Sequence, residues 1–339
     1  MRKTLTTLGL AMIGFTAMAQ QDPQFTQYMF NKLFTNPGYS GYHKSLCGTV
    51  IGRQQWSGFD GAPTTFVVSI DAALGAQRNH GLGVNLMFDK LGFEATNGYR
   101  LNYAYHLPLM SGQADLGIGI EVGAISKTIG PTGSNSWLAT QNWQTDPSIP
   151  PLLKKTTFDL GFGLYFSTQK IHFGIASTHL AAQDIADGSQ SVTVTPPTSP
   201  PTVTHNLVYA LARHYFINGG YDWWIDGGTG DWILRPSFLV KSDASITQFD
   251  LNVNILMKQR IWAGATYRLQ DAIAPTIGYQ QPFTTKYGQS WLKIGLAYDV
   301  TTSALKSYNN GTYEAVLNYC HPLGKTPKIE GHEDVRNFF

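Results

Sequence analysis

From Cys47 to Cys320 the chain alternates apolar and polar positions with a period of two, in segments of about ten residues, the length a tilted strand needs to cross an outer membrane. In the stretch Gln248 to Lys258, Phe249, Leu251, Val253, Ile255 and Met257 fall on one face, and Gln248, Asp250, Asn252, Asn254 and Lys258 on the other. Phe158, Leu160, Phe162, Leu164 and Phe166 oppose Thr157, Asp159, Gly161, Gly163 and Ser167 in the same way. So do Leu292, Ile294, Leu296, Tyr298 and Val300 against Lys293, Gly295, Ala297 and Asp299.

A soluble sandwich also alternates, so the character of each face decides the fold. The polar face is rich in Gly, Asp, Asn and charge, while the apolar face is uniformly large and ends in Tyr or Phe, which suits lipid outside and a polar lumen inside. The pattern predicts an all-β antiparallel transmembrane barrel of about 14 strands. The spans are 46–57, 64–75, 81–90, 95–107, 113–128, 156–168, 170–180, 204–225, 232–241, 247–258, 260–270, 273–282, 290–302 and 312–320. The span 204–225 is one long strand joined across Gly219-Gly220 and turned at Gly227 to Gly230. With the first strand running outward, the two longest connectors, Ile129 to Lys155 and Ala181 to Val203, both fall outside. Short connectors such as Met110 to Gly112 and Lys258 to Arg260 fall inside, the asymmetry expected of outer-membrane barrels.

The flanks differ from the barrel. Residues 1–19 read as a secretory signal: Arg2 and Lys3, an apolar run from Leu8 to Phe15, and Ala17-Met18-Ala19 before a cut at Gln20. Residues 20–45 lack alternation, and Phe25, Tyr28, Met29 and Leu33 fit one face of a short helix, a plug or rim-packing element. The barrel then occupies 46–320 and a periplasmic tail 321–339. After the leader there is no apolar run of about 18 residues to make a transmembrane helix. Loss of Arg2 and Lys3 from the 24 basic residues leaves as many basic as acidic side chains, so the chain has no electrostatic reason to seek nucleic acid.

Parity points Arg53, Arg100, Lys258, Arg268 and Lys293 into the lumen, with Asp71, Asp89, Asp115, Glu121, Asp159, Asp250, Asp299 and Glu314. Mixed signs at similar depths favour internal ion pairs over a field that selects ions. His172, His179, His205 and His214 are scattered, and no nucleophile stands beside a base, so the chain reads as no enzyme. His332-Glu333-Asp334 lacks the spacing of a metal cage, and nothing in the pattern requires a cofactor. The outer connector 129–155 carries Trp137 and Trp143, which are candidates for partner binding because exposed Trp is a common anchor; the alternative is packing within the loop or over the lumen.

The two cysteines suggest how the last strand meets the first. Setting Cys47 opposite Cys320 also sets Arg53 opposite Glu314 and Val50 opposite Leu317, and lays Tyr319 over Gly48. One shift matches a thiol pair, an ion pair and an apolar pair, whereas a slip of one residue would set lumen faces against lipid faces. A Cys47 to Cys320 disulfide is compatible with that register and with an oxidising compartment.

Asp22-Pro23-Gln24-Phe25-Thr26-Gln27-Tyr28-Met29-Phe30-Asn31, followed by Asn36-Pro37-Gly38-Tyr39-Ser40-Gly41, resembles the opening of the PorP/SprF family of Bacteroidota outer-membrane proteins. Arg53-Gln54-Gln55-Trp56 with Gly61-Ala62-Pro63-Thr64 resembles its first hairpin, and Arg235-Pro236-Ser237, Tyr298-Asp299 and Gly311 to Glu314 resemble later strands. Gly38 and Ser40 replace more usual alanines. The resemblance implies type IX secretion or gliding motility. The expected partners are a secreted surface adhesin held through its type IX C-terminal domain, periplasmic secretion and gliding components, and outer-membrane lipid. The competing expectation is a channel for small or hydrophobic solutes, against which the charged lumen stands.

Overall fold

A computed structural model describes residues 22–58, 60–130, 153–181, 184–194, 203–227 and 231–324, with backbone alone for 184–194 and 203–210. The leader, most of the 129–155 connector with Trp137 and Trp143, most of the 321–339 tail and the loop 195–202 lie outside the described residues. The first half of the chain forms β1 (Leu46–Gln54), β2 (Thr64–Leu74), β3 (His80–Leu91), β4 (Glu94–Leu109), β5 (Ala114–Ile129), β6 (Leu153–Thr168) and β7 (Ile171–Thr178). Next come β8 (Asp184–Val194), β9 (Val203–Ala210), β10 (His214–Tyr221), β11 (Trp223–Trp224) and β12 (Trp232–Ser242). The last five are β13 (Thr247–Met257), β14 (Ile261–Arg268), β15 (Ala272–Thr285), β16 (Gly288–Thr301) and β17 (Thr312–His321).

Each wall strand pairs antiparallel with its neighbour, β10 bridges β7 and β12, and β17 returns to β1, so the sheet closes and has no free edge. The two-residue β11 continues the register of β10 on β12, and the wall therefore has 14 strands. Alternation sorts the side chains as the barrel requires. Phe249, Leu251 and Val253 are 44–56% exposed on the outside, while Asp250, Asn252 and Asn254 are each 2% exposed inside. Outward tyrosines lie toward both ends of the strands, with Tyr267, Tyr298 and Tyr313 at one rim and Tyr105, Tyr221 and Tyr319 at the other.

The structure corrects the expected strand 204–225. Residues Val203–Ala210 leave the wall and pair with Asp184–Val194 as a separate two-stranded sheet, while His214 pairs directly with Thr178 to close the wall. A hairpin alternates as a wall strand does, so period two reports a strand without reporting which sheet it joins. Lys258 is also corrected: it is exposed in the β13–β14 turn at φ +48°, and Leu256 is the last inward residue of β13. The connections after β5 and β7 leave from one rim, assigned as the outer one because longer loops lie there.

Candidate functional site

The lumen is occupied by the chain's own N-terminal segment. From Asp22, beside His179 and His214 at the outer rim, it descends to Ser45, where β1 begins at the inner rim. The expected single helix is instead three short turns, Tyr28–Phe30, Lys32–Thr35 and Pro37–Tyr39. An amphipathic helix needs a wet face, and this segment has none: every residue from Phe25 to Ser45 is buried. Asn36 sets the last turn, accepting from Gly38 N at 2.9 Å with Pro37 at the first position. Its Nδ2 donates to the Leu164 carbonyl at 2.9 Å and so ties the segment to β6.

Wall glycines let the two backbones meet. A Cβ at Gly119 would collide with the main chain of Pro37 and Gly38, and one at Gly117 with the Gly38 carbonyl. Higher up, Phe25, Met29, Phe30 and Phe34 pack against inward-facing Ile51, Val67, Met87, Leu256, Trp262 and Val316. The barrel thus has an apolar core within its lumen, which strict two-face alternation does not anticipate. Lys32 is buried and donates to Tyr165 Oη at 3.3 Å, with its ammonium over the rings of Tyr39 and Tyr165.

The lumen charges gather into networks that also hold the plug. Arg53 donates from Nη1 to Glu314 Oε2 at 2.9 Å and from Nη2 to Asp299 Oδ2 at 2.8 Å. Arg268 joins Asp299 at 3.1 Å and Asp250 at 3.2 Å. Glu314 accepts the backbone N–H groups of Thr26 and Gln27 at 2.8 and 2.7 Å, so the network binds plug main chain as well as wall. In a second group Arg100 lies 3.6 Å from Glu121, 3.7 Å from Asp159 and 3.8 Å from Asp22. Burial opposes ionisation of Asp22, but His179, His214 and Arg100 hold its carboxyl well below the usual carboxylate range. Nearer the inner rim, Asp71 accepts from Gly41 N at 2.7 Å, and His106 bridges Asp115 and the Ser40 carbonyl.

The residues singled out from the sequence therefore fall into distinct places. Arg53, Glu314, Asp299, Arg268 and Asp250 form one network, and Arg100 with Glu121 belongs to the other. Lys293 is buried lower down, beside Asp71, His43 and Asn318 around a small cavity. Cys47 and Cys320 are bonded at the inner rim, in the register that also pairs Arg53 with Glu314 and Val50 with Leu317. Sequence reasoning missed the meeting of Asp22 with His179 and His214, which are 157 and 192 residues away along the chain. No spacing rule links groups so far apart.

A closed barrel with lipid-facing aromatics and a self-plugged polar lumen is a multi-pass outer-membrane protein. The chain belongs to the type IX secretion system membrane protein PorP/SprF family, whose model matches residues 17–319. Among curated proteins nothing matches the sequence. Among solved structures it is similar to the CymD monoaromatic hydrocarbon channel, with a TM-score of 0.50 and 10% identity over 88% of this chain and 94% of that one. A Pseudomonas aeruginosa FadL homologue gives a TM-score of 0.45 at 8% identity, over 81% of this chain and 88% of that one. The Acinetobacter baumannii outer membrane protein Omp33 gives 0.39 at 10% identity, over 82% and 99%. Likeness at these identities concerns the fold alone.

Proposed function

We propose that this barrel is an outer-membrane anchor that holds a secreted surface protein, an adhesin, through its type IX C-terminal domain. The observation that carries the reading is the filled lumen: residues 22–45 are bonded to the wall by charge, main chain and an apolar core, which suits a rigid platform better than an open conduit. Family membership supports a place in type IX secretion. The largest connections, between β5 and β6 and between β7 and β10, leave one rim together and offer the partner a broad surface. Trp137 and Trp143 are the proposed apolar anchors of that surface. Residues 1–19 act in this account as the export leader, and the tail 321–339, following β17 at the inner rim, is available to periplasmic secretion and gliding components. No catalytic step or cofactor is part of the reading.

Replacing Trp137 and Trp143 together with Ala tests it. Barrel assembly should be unchanged while the adhesin shifts from the cell surface to the medium; unchanged retention would remove these two residues from the contact. The rival channel reading draws on the likeness to a hydrocarbon channel, which extends only to fold. Steady conductance of the intact protein in planar bilayers would favour that rival.

A further inference from the structure

Asp22, His179 and His214 come together where the plug meets the outer rim. Asp22 Oδ1 lies 3.0 Å from His179 Nε2, and the Asp22 amide donates to His214 Nε2 at 3.0 Å. The two rings stand edge to face with centroids 5.4 Å apart. One ligand atom from each of the three residues lies within 4.8 Å of the other two. Ligands at about 2.0–2.1 Å from a tetrahedral cation are themselves separated by about 3.4 Å, so the three atoms would draw closer around an ion and His214 Nε2 would exchange the Asp22 N–H for it.

The other side of each ring is already committed. His179 Nδ1 donates to Asp159 Oδ2 at 2.9 Å, and His214 Nδ1 donates to the Ala212 carbonyl at 3.1 Å. This leaves both Nε2 atoms to face Asp22, with the carboxylate and carbonyl partners that metal-ligating histidines have behind them. Among the described residues, Asp22, Glu121 and Asp159 have only Arg100 and His179 within ion-pair distance. Lys241 also reaches the Asp22 main-chain oxygen at 2.7 Å. Neither Glu121 carboxylate oxygen has a hydrogen-bond partner among the described residues.

We propose that Asp22, His179 and His214 bind one divalent transition-metal ion of the zinc type. His179 follows β7 and His214 opens β10, so the ion would clamp the start of the plug to both wall strands from which the long 179–213 connection departs. It would be a structural clasp at the mouth of the barrel.

Cobalt(II) added to the metal-stripped, full-length protein in detergent tests this, because a tetrahedral nitrogen and oxygen set gives characteristic visible absorption, and zinc should displace it. The expected result is one equivalent bound by the intact protein and none at the same concentration by His214→Ala. Asp159→Asn, which keeps all three ligands and loses the partner behind His179, should weaken binding about 10- to 100-fold. Heat-modifiable migration of each variant shows that the barrel is assembled. Absence of stoichiometric binding by the intact protein, or binding by assembled His214→Ala equal to that of the intact protein, overturns the proposal. The second outcome would place the metal at other histidines. Should His214→Ala fail to assemble, the Asp159→Asn titration decides: unchanged affinity overturns the proposal.

Discussion

Arg53 on β1 and Glu314 on β17 face each other across the strand pair that closes the barrel, joined at 2.9 Å with both side chains buried. Glu314 also accepts two plug amides, so one carboxylate links the first strand, the last strand and the segment inside. Removing it leaves a buried guanidinium short of a partner and two N–H groups without an acceptor. Glu314→Ala should therefore destabilise the barrel by about 3–5 kcal/mol. The temperature at which the folded gel band disappears should drop, and the N-terminal segment should become more open to protease. A variant as heat-resistant as the parent would show that the network contributes little.

The neighbouring link at the same seam should matter less. Cys47 and Cys320 are bonded, but the β1–β17 ladder from Leu46 to Gln54 closes the barrel independently. Non-reducing peptide mapping should recover the Cys47 to Cys320 crosslink. The double variant Cys47→Ser with Cys320→Ser should still assemble, with a loss of no more than about 2–4 kcal/mol. Failure to assemble would make the bond a requirement for closure.

Gly119 gives a way to dislodge the plug without touching a charge. Its missing side chain is where Pro37 and Gly38 cross the wall, so Gly119→Val forces the Pro37–Tyr39 turn away. The side chain would point inward, leaving the lipid face intact. Planar-bilayer recordings should show larger or more frequent openings for this variant than for the parent. Identical traces would mean that the plug is not what seals the lumen.

Much of this fold is legible in the sequence because a barrel writes its geometry as period two. Phe249 and Asp250 face lipid and lumen as alternation requires, and two cysteines with one ion pair are enough to suggest the seam register found between β1 and β17. The joined segment 204–225 was not legible in that way, since β9 alternates yet pairs with β8 outside the wall. Ile51, Val67 and Val316 face inward although apolar, because Phe25, Met29 and Phe30 of the plug cover them. Alternation records the faces of a strand and says nothing of what fills the space between walls. The Asp22, His179 and His214 cluster has the same cause: the plug brings a residue from the start of the chain to the ends of two distant strands.

The most direct test of the anchoring account is to purify the crosslinked protein from native outer membranes and identify what accompanies it. The account predicts a secreted surface protein ending in a type IX C-terminal domain, crosslinked through the outer connections and diminished in the Trp137→Ala, Trp143→Ala double variant. Recovery of the barrel without any such protein, together with steady conductance by the intact protein, would contradict it.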